Sequence, residues 1–308
     1  MSLLQKKYAH LINPDFLRTH QKPILLATGI AAASAPLLAY ACSCYRQWLA
    51  IGKGGVPYNV FGWLFQSSLH LVARTDTNVP VPRSFKRVDD VAALYGPAGG
   101  KSYLTLTSDS DSDSGSGSGS KLEPRKGAPP VVPGFVAPQR QTSEVASAAT
   151  VDRQNAFLAA LARANPAVFE LQTSKLEGPP HKALWLRPEE QARSQQEKEK
   201  EKEGEGEEGK RFYVRLGAGS GGEWAHVHGE GSTHVTLSPV DAAAAIEAGW
   251  AQRHPLSGFG GGRAVMPWGY VMVYAPRDEE EWGVWRELVL AGARYAAEGA
   301  GVEVVVPE

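Results

Sequence analysis

The sequence predicts an α+β protein: a small, mostly antiparallel sheet with helices packed on one side, preceded by an N-terminal transmembrane helix. Three observations lead to this prediction. Short alternating segments bounded by turn residues in the C-terminal half are typical of strands. Longer amphipathic segments there carry helix-capping signals. A long uncharged apolar run lies near the N-terminus.

The apolar run covers residues 23–45, PILLATGIAAASAPLLAYACSCY. About twenty apolar residues suffice for a helix to cross a bilayer. Basic residues precede the run, so the tail, residues 1–22, is expected to be cytoplasmic or is left unassigned. A signal peptide cleaved after AYA, before Cys42, and a buried core helix stay open as alternatives. The expected protein is single-pass, in an endomembrane such as the endoplasmic reticulum.

Residues 46–107 are expected to form a membrane-proximal helical region. Within it, VPYNVFGWLFQSSLHLVAR, residues 56–74, is amphipathic and aromatic. This pattern fits a helix that lies along a membrane surface and equally fits one that packs on the soluble domain.

Two further segments have the composition of solvated chain. Residues 108–148 begin with SDSDSDSGSGSGSK, which cannot bury enough apolar surface to fold, and they predict a low-complexity linker. The domain of residues 149–308 follows. Its residues 189–210, EEQARSQQEKEKEKEGEGEEGK, predict a disordered charged insert.

The elements of this domain begin with a helix and two pairs of strands. VDRQNAFLAALARAN, from Val151, has apolar residues at helical spacing. KALWLRP and RFYVRL predict strands on either side of the charged insert. EWAHVH and THVTL predict a hairpin around the turn at residues 229–232.

Two helices and a strand complete the domain. SPVDAAAAIEAGW predicts a helix with Ser238 as N-cap, Pro239 at the first position and Gly249 at its end. PWGYVMVYAP alternates as a strand does. RDEEEWGVWRELVLAGARYAAEG predicts a long helix, because it begins with acidic residues and places Trp282 and Trp285 on its apolar face.

Composition and sequence context argue against two classes of partner, nucleic acids and nucleotides held by a phosphate-binding loop. The chain has 308 residues and a formal net charge of -1, whereas a nucleic-acid-binding domain carries a basic excess. We therefore expect no nucleic-acid partner. GAGSGG, residues 217–222, and GPAGGKS, residues 96–102, lack the strand-to-helix context that a phosphate-binding loop needs.

Three of the 8 histidines, His226, His228 and His234, lie close together in sequence. Alternation along a strand points His226 and His228 to one face, and a hairpin would set His234 opposite them. Arg253 and His254 follow the next predicted helix. The pattern is compatible with a metal site, with an acid–base or substrate site, and with ordinary strand histidines.

Of these three, we expect an acid–base or substrate site with no bound metal. Glu230 comes too soon after the histidines and lies in the turn, and no other acidic ligand is obvious. A nearby Arg253 would repel a divalent cation. The predicted catalytic residues are His226, His228, His254 and Arg253. The predicted substrate-binding residues are His234, Trp250, Trp268, Tyr270, Tyr274 and Arg277.

The sequence around these residues resembles a known family, the luciferase-domain family of fungi. The resemblance is carried by HVHGEGSTHVTLSPVDAAAAIEAGWAQRHPLSG and VMVYAPRDEEEWGVWRELVLAGARY, with H-x-H, G-W-x-Q-R-H-P-L and Y-A-P-R-[DN]-E-E-E as its specific motifs. It covers about residues 150–300, and the N-terminal anchor in outline. The family includes the enzyme that oxidises 3-hydroxyhispidin with oxygen in fungal bioluminescence.

The resemblance implies an oxygen-dependent oxidoreductase, anchored in a lipid bilayer, that acts on a small aromatic or pyrone-like molecule. Molecular oxygen would be the co-substrate, with no tightly bound cofactor, and light emission is not expected. A histidine would deprotonate a hydroxypyrone, and Arg253 would stabilise the enolate. Two alternatives stay open: a non-catalytic, membrane-tethered small-molecule-binding module and a histidine-ligated metal-dependent oxygenase.

Overall fold

A computed structural model describes most of the chain: residues 18–105, 122–188, 215–216, 220–298, 300 and 302–307. The chain divides into two compact units, Met1–Gly52 and Lys53–Glu308.

The described part of the first unit consists mainly of one helix, α1, Gln21–Ile51. It contains the whole predicted span, residues 23–45, and tolerates Pro36 in its interior. Its 31 residues extend about 46 Å at 1.5 Å per residue, more than the hydrocarbon thickness of a bilayer. α1 is therefore long and apolar enough to cross a membrane, although a signal sequence or a core helix would meet the same criteria.

The second unit contains five α-helices in its described part. Asn59 caps the first of them, because its Oδ1 accepts hydrogen bonds from the backbone N–H groups of Phe61 and Gly62 at 3.0 and 3.2 Å. Ser238 and Asp278 cap two others in the same way. The helices are α2 Val60–Leu69, α3 Val88–Ala92, α4 Ala148–Ala164, α5 Pro239–Glu247 and α6 Glu279–Ala297.

Six strands form one antiparallel sheet, which confirms the predicted α+β class. Their order across the sheet is β1-β2-β3-β4-β6-β5. In chain order the strands are β1 Phe169–Thr173, β2 Lys182–Leu186, β3 Glu223–Val227, β4 Thr233–Thr236, β5 Ala251–Arg253 and β6 Tyr270–Val273.

One face of the sheet is apolar and is covered by α6. The indole N–H of Trp285 donates to Oγ1 of Thr233 at 2.9 Å. Gly292 lies so close to β4 that an added Cβ would be 2.6 Å from Cγ2 of Val235. Helix α4 contacts β1, β2 and β3. Burial of this face is the main source of stability of the unit.

The opposite face of the central strands carries the polar site. His226 pairs with His234, and His234 pairs with Met272, so these side chains share a face. Loop residues cover it: Gln139 bonds His234, and Glu177 approaches His228.

The structure differs from the prediction in the stretch assigned to a linker, residues 108–148. Residues 122–147 pack on the domain, with Leu122 and Val136 buried. Arg125 is buried as well and pairs with Glu144 and Glu281. The repetitive Ser-Asp-Gly composition ends at residue 120, and the following segment has apolar and arginine side chains that can be buried. Four predictions fall wholly or largely outside the described residues. They concern the tail of residues 1–22, the Ser-Asp-Gly repeat of residues 108–120, the strand RFYVRL of residues 211–216 and the insert of residues 189–210.

Candidate functional site

Four histidines and a tyrosine form one buried cluster between the sheet and its covering loops. Ring centroids of His226, His228 and His234 lie 4.7 to 5.2 Å apart. His254 and Tyr270 extend the cluster, at 5.3 and 4.8 Å from His234. All four histidines are at most 3% exposed. The site is therefore an interior one, where charges interact more strongly than they do in water.

His226 lies against a carboxylate that the sequence did not single out. Its Nδ1 is 2.7 Å from Oε1 of Glu223, an ion-pair distance at which the angle falls outside hydrogen-bond geometry. The hydroxyl of Ser174 donates to Oε1 of Glu223, and the backbone N–H of Lys175 donates to its Oε2, at 2.7 and 2.6 Å. These donors hold the carboxylate in place. Burial raises the pKa of Glu223, but His226 and these hydrogen bonds outweigh it and lower the pKa.

His228 lies between two carboxylates. Its Nδ1 is 2.9 Å from Oγ of Ser232 and 3.4 Å from Oε1 of Glu230, and its Nε2 is 3.6 Å from Oε1 of Glu177. Burial lowers the pKa of His228, but the negative charges of Glu230 and Glu177 outweigh it and raise the pKa to about 9. With these partners His228 is an imidazolium at neutral pH.

Arg140 is the arginine that belongs to this cluster. Its Nη2 pairs with Oε2 of Glu177, and both side chains are buried. Burial raises the pKa of Glu177, but its contacts with His228 and Arg140 outweigh that and lower the pKa well below the usual value. Arg140 and His228 contact different oxygens of the Glu177 carboxylate.

His234 is fixed in a directional chain of hydrogen bonds. Its Nδ1 is 2.9 Å from the hydroxyl of Tyr270, and its Nε2 is 3.2 Å from Oε1 of Gln139. The amide of Gln139 then donates to the carbonyl oxygen of Arg253 at 3.3 Å. Burial lowers the pKa of His234 and raises that of Tyr270, so both stay neutral. The consistent assignment has Tyr270 donating to Nδ1 and Nε2–H donating to Gln139.

His254 is held by backbone groups. Its Nδ1 accepts from the N–H of Leu256 at 3.0 Å, and its ring also hydrogen-bonds the backbone of Val136. Burial lowers its pKa to about 3. Both ring nitrogens thus have partners, and His254 positions the loops around the cluster.

The structure gives Arg253 different partners from those the sequence suggested. Its guanidinium and Nε donate to the carbonyl oxygens of Val79, Pro80 and Trp268 at 2.7, 2.9 and 3.2 Å. Burial lowers its pKa to about 10. Successive side chains of a strand point to opposite faces of the sheet, and Arg253 lies on the face away from the histidines. Its guanidinium binds backbone carbonyls there.

The other predicted substrate-binding residues also have partners away from the cluster. The indole N–H of Trp250 donates to the carbonyl of Glu123 at 2.7 Å, and the ring of Trp268 packs against Phe85. Tyr274 lies beneath Arg125, and Arg277 pairs with Glu281. Of the ten predicted site residues, the structure gathers five: His226, His228, His234, His254 and Tyr270.

Three charged members of the cluster were missed: Glu177, Glu223 and Arg140. Glu223 is three residues before His226 in the same strand, so its proximity was a signal that could have been used. Glu177 and Arg140 come from loops that precede the hairpin by about fifty and ninety residues. No local pattern identifies such residues.

The cluster has the donor set of a metal site. One nitrogen of each of His226, His228 and His234 lies within 4.8 Å of the others. Nε2 of His226 and Nε2 of His228 are buried, and neither has a hydrogen-bond partner in the described part of the chain. The same cluster holds two cationic groups, His228 and Arg140, and each of them is paired with a buried carboxylate.

Comparison with known proteins identifies the stretch that contains the histidines. Residues 221–292 match the family model described as "Luciferase domain". The luciferase of Armillaria ostoyae is 34% identical over 86 residues, which are 27% of this chain and 32% of that protein. The luciferase of Armillaria mellea is 36% identical over 75 residues, 24% of this chain and 27% of that protein.

A third relative agrees with these two. The luciferase of Neonothopanus nambi is 34% identical over 85 residues, 27% of this chain and 31% of that protein. The match thus spans about a third of the length of these curated relatives. No solved structure matches the chain. Residues 221–292 therefore form a luciferase-like stretch of the chain.

Proposed function

We propose that this chain is an oxygen-dependent oxidoreductase that acts on a small aromatic or pyrone-like molecule at the histidine cluster. One observation carries the proposal: all four clustered histidines fall within the stretch that matches the luciferase domain, residues 221–292. The relatives named luciferases support the class of reaction, and the buried charges support its chemistry.

The chemistry suits a substrate with an acidic hydroxyl. Transfer of its proton to Nε2 of His226 gives an electron-rich enolate, which can donate electrons to molecular oxygen. The Nε2–H of a protonated His228, which has no hydrogen-bond partner among the described residues, would donate to this anion inside the buried site. Among the predicted catalytic residues, His226 and His228 carry the proposal because their Nε2 atoms have no hydrogen-bond partner among the described residues.

Attachment to a bilayer through α1 is part of the same proposal. Two features support it: the apolar length of α1 and the exposed apolar side chains of α2. In α2, Gly62 and Gln66 are buried, whereas Phe61, Leu64 and Phe65 are 74%, 52% and 54% exposed. A face of this kind favours the interfacial region of a membrane. A poorly soluble aromatic substrate would be concentrated there.

The test is oxygen uptake by the full chain reconstituted in lipid vesicles. We expect consumption of oxygen with 3-hydroxyhispidin or a simpler hydroxypyrone, and an oxidised product by mass spectrometry. His228→Gln should lower the rate about 100-fold or more. His70→Gln, at an exposed position on another part of the domain, should leave it unchanged.

Two results would contradict the proposal. Tight binding of a hydroxypyrone that is recovered unchanged would favour the non-catalytic binding module. An unchanged rate in folded His228→Gln protein would remove the reaction from this cluster.

A further inference from the structure

We propose that His226, His228 and His234 bind one divalent first-row transition-metal ion through their Nε2 atoms, with the carboxylate of Glu177 beside them. This site goes beyond the proposed oxidation, because a bound metal can be counted whether or not any substrate is turned over.

The spacing of the three rings fits a common ion. One nitrogen of each ring already lies within 4.8 Å of the other two. Imidazole nitrogens bind zinc at about 2.0–2.1 Å in tetrahedral geometry, which sets the nitrogens roughly 3.4 Å apart. Each ring nitrogen therefore has to move by less than roughly 1 Å, within the range of small side-chain rotations.

The outer nitrogens of His228 and His234 are hydrogen-bonded, and that of His226 contacts a carboxylate without hydrogen-bond geometry. Nδ1 of His226 lies against Glu223, Nδ1 of His228 against Ser232, and Nδ1 of His234 against Tyr270. Such partners fix the ring and leave the other nitrogen for the ion. This assigns Nε2 as the ligand atom in all three cases. At His228 the ion takes the place of the Nε2 proton, so the metal-bound form and the imidazolium form of this residue are alternatives.

The inner nitrogens of two rings lack other partners. Nε2 of His226 and Nε2 of His228 are buried without a hydrogen bond to any described residue. A buried polar atom left in that state is costly, so native proteins seldom keep one without a reason. Nε2 of His234 would exchange its 3.2 Å bond to Gln139 for the ion, and Nδ1–H would then donate to the Tyr270 oxygen.

Both sequence arguments for a metal-free site lose their basis in the structure. An acidic group is present, because Oε1 of Glu177 lies 3.6 Å from Nε2 of His228. Arg253 is engaged by three backbone carbonyls. Arg140 does approach, but it pairs with the other oxygen of Glu177, so its charge is already balanced.

The donor set also indicates the class of ion. Imidazoles with one carboxylate favour zinc, iron, copper, cobalt or nickel, whereas magnesium and calcium prefer oxygen ligands throughout. Three protein histidines on one ion are typical of catalytic rather than purely structural sites.

The experiment is a metal count on the full chain purified in detergent. The protein is stripped with a chelator, incubated separately with Zn²⁺, Co²⁺ and, without air, Fe²⁺, then desalted. We expect about one ion per chain with at least one of these metals, and visible d–d absorption bands with Co²⁺. Fewer than about 0.1 ion per chain with all three would overturn the proposal.

Variants locate the ion. His226→Ala and His228→Ala should each weaken Co²⁺ binding at least about tenfold. His70→Ala is the matched control and should bind as the wild type does. Retention of the ion at wild-type affinity by a His226→Ala His228→Ala protein would also overturn the proposal.

One variant guards against loss of folding in the alanine proteins. His228→Cys keeps a metal ligand at the same position and should add a thiolate-to-cobalt charge-transfer band. A folded His228→Cys protein that binds Co²⁺ without this band would place the ion elsewhere and contradict the assignment.

Discussion

His226 and His234 are direct partners across the β3–β4 hairpin, with ring centroids 5.2 Å apart and nearly perpendicular planes. His226 reaches outward to Glu223, and His234 reaches outward to Tyr270. Strand pairing thus sets the two imidazoles edge to face, and the surrounding residues decide which nitrogen of each has a partner.

Tyr270→Phe should weaken the cluster measurably. The change removes the 2.9 Å hydrogen bond to Nδ1 of His234 and leaves a buried nitrogen unpaired. We expect the free energy of unfolding to fall by about 1–3 kcal/mol, measured by denaturant titration. Tyr274→Phe is the control, since its hydroxyl contact with Gln252 is long, 3.5 Å, and should cost less. Equal stability of the Tyr270→Phe and wild-type proteins would contradict the hydrogen bond.

Arg253→Lys should destabilise the fold. An ammonium group cannot reach all three carbonyl oxygens that the guanidinium binds. We expect a loss of about 2–4 kcal/mol in unfolding free energy, compared with little change for Arg87→Lys, whose side chain is 71% exposed. Unchanged stability combined with lost oxygen uptake would instead assign Arg253 to the substrate, as the sequence predicted.

Asp76 should contribute to acid unfolding. Burial raises its pKa, but hydrogen bonds from Arg74 and from the N–H of Arg83, at 2.6 and 2.7 Å, outweigh it and lower the pKa below 3.8. A folded-state pKa below the unfolded value means that the contribution is complete above pH 3.8 and is lost as pH falls through the folded pKa.

Urea midpoints measured from pH 7 down to pH 3 test the role of Asp76. Asp76→Asn should be less stable than the wild type at pH 7, and the difference should shrink below about pH 4. Asp90→Asn is the control, because its ion pair with Arg87 is exposed. A difference that stays constant over this range would exclude Asp76 as the titrating group.

Gly292→Ala and Gly283→Ala should act in opposite directions, although both glycines lie in α6. A Cβ at position 292 would come within 2.6 Å of Val235, next to His234, whereas a Cβ at position 283 meets nothing within 4 Å. We expect Gly292→Ala to cost about 1–3 kcal/mol. Gly283→Ala should gain about 0.5–1 kcal/mol from helix propensity. Thermal unfolding of the pair measures both, and stabilisation by Gly292→Ala would contradict the close packing of α6 on β4.

The exposed face of α2 should lie in a lipid interface. A spin label at Phe61→Cys, with Cys42 and Cys44 changed to serine, should be more accessible to oxygen than to a water-soluble nickel reagent in vesicles. A label at Val131→Cys, where the native side chain is 61% exposed, should be more accessible to the nickel reagent than to oxygen. Equal water accessibility of both labels would contradict the membrane contact.

The α+β class, the antiparallel hairpin and the apolar N-terminal helix followed from sequence alone. Each of them depends on local periodicity and capping, which neighbouring residues carry by themselves. The facing arrangement of His226, His228 and His234 followed for the same reason, because alternation along two strands and the turn between them set it.

Only the tertiary structure decided what surrounds these histidines. It brought Glu177 and Arg140 from distant loops to the cluster and turned Arg253 to backbone carbonyls. It also packed residues 122–147 against the domain, although the neighbouring repeat had suggested a linker. Side-chain partners across loops depend on how the whole chain closes over the sheet. Such long-range contacts leave no periodic trace in the sequence, because loop residues are constrained by the surfaces they meet and not by their neighbours along the chain.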